Sequence, residues 1–401
     1  MTSIIEQEKH YCAENYAPLP VVLNKGEGVY VWDQQGQKYM DMMSAYSAVS
    51  FGHANPRLVK VLSEQAATLA VPSRAFYSDK LAPFAQRLCE ITGMDKMLPM
   101  NTGAEAVETA LKAARKWAYQ VKGVPSDKAE IITCNGNFHG RTITIVGFSS
   151  EAQYKQGFGP FSAGFKQIPF NDIAALEAAI TPNTAAFLVE PVQGEGGILV
   201  HDAGYLAACA ELCRRRNVLL ICDEVQAGLG RTGKLLACQH DDVKPDGLIL
   251  GKALGGGLLP VSAFLARKDV MAVFTPGDHG STFGGNPLAS VVGLEAINIL
   301  MEEQLATRSQ QLGERFMAGL HAINSPIVKQ IRGLGLLIGM EIYPEMCSAR
   351  RVCEELLKLG VLSKETHETV VRFAPPLIIE PQQVDWALQQ IEHALKVCTA
   401  D

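Results

Sequence analysis

Short apolar runs alternate with amphipathic stretches along most of the chain. Between about Pro56 and Leu300 the runs predict strands, and they read KMLPMN, EIITCN, AAFLVEP, NVLLICDE, GLILGK and VSAFLA. Runs that stay apolar at successive positions are typical of strands buried on both faces of a sheet. Strands that alternate with helices favour a doubly wound sheet covered by helices. We therefore expect an α/β fold whose large domain has a mostly parallel sheet.

The flanking segments predict a second, smaller α/β unit. Near the start, GVYVWDQQGQKYMDM contains two alternating segments joined by a turn, which predicts a hairpin. Asn286 before Pro287 predicts the start of a helix that runs through Leu300. Strand-like and helical segments alternate again beyond it. The last helix has an apolar stripe of Val384, Leu388, Ile391 and Leu395. We expect an N-terminal segment (1–45), a large domain (46–294) and a small C-terminal domain (295–401).

Composition narrows the class of protein. The 401 residues are 47% hydrophobic and 19% charged, with a net charge of -6, so no basic surface for nucleic acid or membranes is indicated. No apolar run approaches the roughly 20 residues that span a bilayer, and the first residues lack the apolar core of a signal peptide. The ten cysteines include no Cys-x-x-Cys pair, which favours reduced thiols. We expect a soluble, globular protein of the cytoplasm.

Two charged residues follow apolar strands. Lys252 comes directly after GLILG, and Asp223 ends the run VLLIC. Ligands of doubly wound folds collect at the carboxyl ends of the strands. Taken alone, Lys252 could be a surface residue, and Asp223 could pair with an arginine or cap a loop. Together they match the needs of pyridoxal 5'-phosphate, whose aldehyde requires an amine and whose ring nitrogen requires a carboxylate.

The stretch NTGAEAVE predicts a capped helix. Thr102 and Glu105 have the spacing of a capping box. The free amides of Gly103 and Ala104 would also suit a phosphate group, so the stretch is compatible with an ordinary helix start and with an anion site.

The stretch GLGRTGK, residues 228–234, matches two nucleotide-binding patterns incompletely. The phosphate-loop pattern requires Ser or Thr where Leu235 stands, and the dinucleotide pattern requires a long helix for which Pro245 leaves little room. We interpret it as a glycine-rich loop, and a non-catalytic nucleotide-binding protein is the remote alternative. No metal-ligand spacing and no Gly-x-Ser-x-Gly element occurs.

Nine motifs appear in the order of a known family. They are NYAPLPV, SAYSAVSFGH, NTGAEAVE, NFHGRT, EPVQGEGG, DEVQAGLGRTGK, LGKALGGGLLPVSA, GSTFGGNP and RFAPPLII. Over nearly its whole length the chain resembles the class III aminotransferases of the fold type I pyridoxal phosphate enzymes. The resemblance implies roles in cofactor binding for Lys252 and Asp223 (aldehyde and ring nitrogen), Gln226 (phenolic oxygen), Phe138 (ring stacking), and Gly103 and Ala104 (phosphate). It also implies that Thr282 reaches the phosphate of a neighbouring subunit, hence a homodimer or larger assembly.

Two positions depart from the family pattern. His139 stands where many relatives have an aromatic residue, and Ala227 stands where threonine is frequent. We expect neither substitution to touch a required donor, although either could tune the cofactor.

The resemblance also implies a pair of substrates. It is strongest to members that move the terminal amino group of ornithine to 2-oxoglutarate, and it places substrate binding at Tyr16, Tyr46, Arg141, Glu195 and Arg372. The α-carboxylate of ornithine would lie near Arg141 and the two tyrosines, while Glu195 neutralises Arg372. Glutamate would displace Glu195. Acetylornithine and 4-aminobutyrate are the alternative donors, and the two tyrosines favour free ornithine.

Overall fold

A computed structural model describes residues 3–400, so Met1, Thr2 and Asp401 of the expected terminal units lie outside it. The strands are β1 (Leu23–Glu27), β2 (Tyr30–Asp33), β3 (Lys38–Asp41), β4 (Lys96–Met100), β5 (Glu130–Cys134), β6 (Phe165–Ile168), β7 (Thr184–Val189), β8 (Val192–Gln193), β9 (Leu199–Val200), β10 (Leu219–Asp223), β11 (Gly247–Leu250), β12 (Ser262–Ala266), β13 (Val328–Leu334), β14 (Leu337–Ile342), β15 (Val361–Leu362), β16 (Lys364–Thr366) and β17 (Val370–Phe373).

The helices cover both faces of the largest sheet and join the smaller ones. They are α1 (Ile4–Tyr11), α2 (Ser44–Ser47), α3 (Pro56–Ala66), α4 (Leu81–Thr92), α5 (Gly103–Trp117), α6 (Ile143–Gly147), α7 (Ala152–Lys155), α8 (Ile173–Ala179), α9 (Tyr205–Arg215), α10 (Lys268–Met271), α11 (Pro287–Glu302), α12 (Leu305–Ile323), α13 (Ala349–Lys358) and α14 (Pro381–Ala400). Across residues 3–400, none of them combines the length and apolarity that crossing a membrane requires.

The largest sheet has seven strands in the order β4-β12-β11-β10-β7-β5-β6. The pairs from β11 to β6 are parallel, and only β12 runs against its neighbours β11 and β4. Both faces are buried: Ile221 of β10 packs in the core formed with α5, whereas Leu220 and Cys222 pack in the core formed with α9. This double burial explains the uninterrupted apolar runs, and the mostly parallel α/β fold is confirmed.

Two four-stranded sheets contain the strands at the ends of the chain, and one of them combines both ends. The expected hairpin is β2-β3, and the carboxylate of Asp33 closes its turn by accepting the amides of Gln35 (2.9 Å) and Gln37 (2.8 Å). β15 pairs with β3 in parallel, so the sheet β1-β2-β3-β15 unites N- and C-terminal segments, and β13-β14-β17-β16 forms the other sheet. Asn286 caps α11 as expected. The boundaries at residues 45 and 294 stay predictions.

The glycine-rich loop after β10 joins distant segments. A short 3₁₀ helix, Ala237–Asp241, follows it where a nucleotide site would need a long helix. Arg231 within the loop is completely buried. Its guanidinium donates to the carbonyl oxygens of Leu336 (3.1 Å) and Pro375 (2.5 Å) and to the hydroxyl of Ser50 (2.9 Å). The loop therefore links the N-terminal, central and C-terminal parts of the chain.

We expect Arg231→Met to lower the free energy of unfolding by about 3 kcal/mol, because two buried carbonyl oxygens lose their donor. Chemical denaturation of the purified protein measures this change. Arg214→Met is the matched control, since Arg214 is 74% exposed and pairs only with Glu211 among the described residues. An equal loss of stability in both variants would contradict the role of Arg231.

Candidate active site

A cavity of about 180 Å³ lies at the carboxyl edge of the large sheet. Asp223 ends β10, Lys252 follows β11 by two residues, and Glu190 directly follows β7. Residues 138–140 lie in the loop after β5, and α5 begins after β4. The cavity is lined by Gly103, Ala104, Phe138, His139, Gly140, Glu190, Val192, Asp223, Val225, Gln226, Ala227 and Lys252. Six residues that the sequence assigned to the cofactor thus meet in one place.

Lys252 stands in an unusual backbone conformation. Its φ is +45°, in the left-handed region that side chains other than glycine rarely adopt. Such strain is common at functional sites, where the surrounding structure maintains it. Within residues 3–400 the amine has no hydrogen-bond or ion-pair partner. Burial lowers the pKa of Lys252, although the negative charges of Glu195, Asp223 and Glu190 oppose the shift. The neutral, nucleophilic form is therefore more accessible than in a surface lysine.

Asp223 is only 5% exposed and is held by two donors. One carboxylate oxygen accepts the amide of Val225 (3.0 Å), and the other contacts Nδ1 of His139 (2.7 Å). Burial by itself would lower the pKa of His139, but the hydrogen bond to Asp223 and the charges of Asp223 and Glu190 outweigh it and raise the pKa. His139 therefore donates to the same carboxylate that was assigned to the cofactor ring, a contact that the sequence analysis did not anticipate. That His139 could tune the cofactor stays a prediction.

Glu190 is a buried carboxyl group that the sequence analysis missed. One of its oxygens accepts the amide of Phe138 at 2.9 Å, which fixes the loop carrying that ring. Burial raises the pKa of Glu190 to about 7, while the nearby charge of His139 opposes the rise. An acidic residue directly after an apolar run was the available signal, since the same signal had identified Asp223.

Gln226 depends on a close backbone approach. Its amide packs against Gly194, where a Cβ atom would lie 1.7 Å from the side-chain oxygen of Gln226. Only glycine fits at position 194 without displacing Gln226. The orientation of Gln226 toward the cavity therefore depends on a glycine of the EPVQGEGG motif, which follows β7, whereas Gln226 itself follows β10.

A larger cavity of about 900 Å³ adjoins the first and shares Phe138 and Lys252 with it. All five residues expected to bind substrate line this second cavity: Tyr16, Tyr46, Arg141, Glu195 and Arg372. The structure thus places the amine of Lys252 between the two spaces. Any group attached to that amine would face both the apolar, acidic pocket and the arginine-lined cavity.

Glu195 and Arg372 form an ion pair beside Lys252. Their side chains meet at 2.6 Å, with Arg372 only 5% exposed. The guanidinium also lies 4.9 Å from the ring centre of Tyr46, and the backbone oxygen of Glu195 accepts the hydroxyl of Thr366 at 2.8 Å. Because the main chain of Glu195 is tied to β16, rotation of its side chain is enough to break the ion pair. Thr366 carried no sequence signal.

Thr282 lies apart from these cavities within the chain. It is exposed and lines a separate, open depression with Ser73, Arg74 and Ser281. The structure therefore does not bring Thr282 to Lys252 of the same chain. Its expected contact with the phosphate of a neighbouring subunit stays a prediction.

We expect Glu190→Gln to change how stability depends on pH. A carboxyl group whose pKa rises from 4.5 unfolded to about 7 folded binds more protons in the folded state, so wild-type stability falls as pH rises through that window. The free energy of unfolding of the variant, relative to that of wild type, should increase by up to about 3 kcal/mol between pH 4.5 and 7 and then stay constant. Denaturation of the ligand-free protein at several pH values measures it. Glu177→Gln, at an exposed site on α8, is the control, and equal pH profiles for wild type and Glu190→Gln would refute the prediction.

Comparison with known proteins agrees with this geometry. The model of the family described as aminotransferase class-III matches residues 11–395. Ornithine aminotransferase 2 of Staphylococcus aureus is 56% identical and covers 98% of both chains. Among solved structures, an ornithine aminotransferase of Toxoplasma gondii with partial occupancy of pyridoxal phosphate in its active site is 47% identical (TM-score 0.97, 98% and 93% covered), and an acetylornithine aminotransferase of Elizabethkingia anophelis is 46% identical (TM-score 0.89, 98% of each covered). A match over nearly the whole chain, with Lys252 and Asp223 on one cavity, establishes that this chain belongs to the class-III aminotransferase family.

Proposed function

We propose that the protein is a pyridoxal phosphate-dependent ornithine aminotransferase. It would transfer the terminal amino group of L-ornithine to 2-oxoglutarate and release glutamate 5-semialdehyde, which cyclises to pyrroline-5-carboxylate, and glutamate. The observation that carries the proposal is the position of Lys252, whose unpaired amine faces both the pocket of Asp223 and the cavity of the two arginines.

The small pocket fits pyridoxal phosphate by its donor set. It contains an amine without a partner among the described residues (Lys252), a buried carboxylate (Asp223), an aromatic ring (Phe138) and the start of α5. The amides of Gly103 and Ala104 lack intrahelical acceptors at that helix start and suit the phosphate. When bound, the cofactor supplies an electron sink and a temporary carrier of the amino group.

The residues of the pocket divide the remaining work. Lys252 would hold the cofactor through its amine, and its Nζ atom would move the proton of the substrate, for which the lowered pKa suits it. Asp223 would pair with the ring nitrogen, and the hydrogen bond from His139 orients its carboxylate. Gln226 would form a hydrogen bond with the phenolic oxygen of the cofactor, and Phe138 would stack on the face of its ring. Thr282 of a second subunit completes the phosphate site, which makes the protein a homodimer or larger.

The larger cavity fits two unlike substrates. With ornithine, no carboxylate lies near Arg372, and Glu195 at 2.6 Å neutralises its charge. Leaving a buried guanidinium unpaired would be costly. Glutamate, which forms from 2-oxoglutarate, brings its own α-carboxylate to Arg372, and Glu195 then rotates away. Arg141 at the far end receives the carboxylate that lies distant from the reacting carbon.

Product identification tests the proposal directly. With pyridoxal phosphate and 2-oxoglutarate, we expect ornithine to yield pyrroline-5-carboxylate at least tenfold faster than acetylornithine or 4-aminobutyrate react, a difference of about 1.4 kcal/mol in transition-state binding. Lys252→Ala should form no product and retain no borohydride-fixed cofactor. Lys364→Ala, which removes another lysine of the same cavity, is the control. Preference for either rival donor would transfer the assignment to that activity.

We expect Glu195→Ala to shift the enzyme from ornithine toward α-amino acids. Without Glu195 the charge of Arg372 is exposed to every donor, so the ratio of the half-reaction kcat/KM for glutamate to that for ornithine should rise about tenfold or more. Single-turnover absorbance measurements with each donor give the ratio. Glu365→Ala is the matched control, because Glu365 lines the same cavity but pairs with Lys364 and Arg350. An unchanged ratio would remove the proposed switch.

The cytoplasmic location stays a prediction.

A further inference from the structure

The two arginines of the larger cavity are held in different ways. Arg372 is buried, and Glu195 supplies its negative partner. Arg141 is exposed and has no hydrogen-bond or ion-pair partner anywhere in residues 3–400. An exposed guanidinium on a flexible side chain normally samples many rotamers, and ordering it has an entropic cost. A contact other than a counter-ion is therefore needed to keep Arg141 in the cavity.

Tyr154 provides this support. The guanidinium carbon of Arg141 lies 3.8 Å from the ring centre of Tyr154, and it also lies 5.5 Å from the ring centre of Phe138. The two rings meet edge to face, with centres 6.1 Å apart and planes at 81°. A guanidinium that stacks its face on a ring keeps its N–H edge available for a carboxylate. Tyr154 thus orders Arg141 without occupying the donors that substrate needs.

The local sequence explains the arrangement. Arg141 precedes Thr142, whose hydroxyl caps α6, and Tyr154 lies on the short helix α7 that packs beside α6. Tyr154 is half-buried, and Arg141 extends over its ring. Arg141, Tyr154 and Phe138 all line the larger cavity. One aromatic pair therefore connects the loop of Phe138 with the end of the cavity where Arg141 lies.

We propose that Tyr154 is a positioning residue for Arg141, and that this stack selects donors carrying a carboxylate far from the reacting amine. The inference rests on the proposed function, because it assigns a distal carboxylate to Arg141. It adds that the ring, rather than the hydroxyl of Tyr154, carries the effect. A donor of the same length without a carboxylate gains nothing from the stack.

The test compares L-ornithine with 1,4-diaminobutane, which is ornithine without its carboxylate. In the holoenzyme we expect Tyr154→Leu to raise the KM for ornithine about tenfold, equivalent to about 1.4 kcal/mol, with kcat nearly unchanged. The constant for 1,4-diaminobutane, measured as a substrate or as a competitive inhibitor, should change less than twofold. Tyr154→Phe should restore the wild-type KM, and Tyr154→Met should repeat the effect of leucine if the leucine variant folds poorly.

Two controls separate positioning from general disruption. Phe161→Leu removes the ring beside Lys155, at 5.7 Å, which is a similar cation–ring pair outside the cavity, and it should leave both constants unchanged. In an Arg141→Met background, adding Tyr154→Leu should cost less than about twofold, because the ring acts through the arginine. Equal losses for ornithine and the diamine, or additive losses in the double variant, would overturn the role of Tyr154. A wild-type protein that does not convert ornithine would instead overturn the proposed function.

Discussion

The burial of Asp223 constrains the rest of the site. A carboxylate that is 5% exposed must find donors, and the fold supplies one from the backbone of Val225 and one from His139. His139 in turn lies in the loop after β5, which Glu190 fixes from the end of β7. Three neighbouring strand ends therefore cooperate to place one carboxyl group beside Lys252, where a positively charged cofactor ring would need it.

The two arginines of the larger cavity are balanced in different ways. Arg372 is buried, and Glu195 supplies its negative partner. Arg141 instead lies over the ring of Tyr154, and its donors have no partner among residues 3–400. Under the proposed function, the internal counter-ion would suit a charge that only one of the two substrates meets, and the unpaired arginine would suit a carboxylate that both substrates carry.

The site also requires the smaller sheets. Arg372 belongs to β17, and Thr366 of β16 holds the backbone of Glu195, so the substrate cavity forms only when the C-terminal segments dock on the large sheet. Arg231 reinforces this docking through buried hydrogen bonds to Ser50, Leu336 and Pro375. The glycine-rich loop that resembles a nucleotide site therefore has a structural role. Its arginine donates hydrogen bonds to carbonyl oxygens that lose their contact with water when they become buried.

By itself the sequence determined six of the seven strands of the large sheet, all except β6, together with the hairpin, the capped helices and the positions of Lys252 and Asp223. It could do so because apolar periodicity and turn residues act over a few neighbouring positions. It also identified the arginines, through a resemblance to the family. Only the tertiary structure decided that His139 donates to Asp223, that Glu190 anchors the loop of Phe138, and that Tyr154 supports Arg141. The first two contacts join residues about 50 to 80 positions apart, and the third joins the loop before α6 to α7, so no local pattern encodes them. The first two arise because parallel strands bring their carboxyl ends to one edge, where side chains distant in sequence share a cavity. The third depends on how α6 and α7 pack within the connection between β5 and β6.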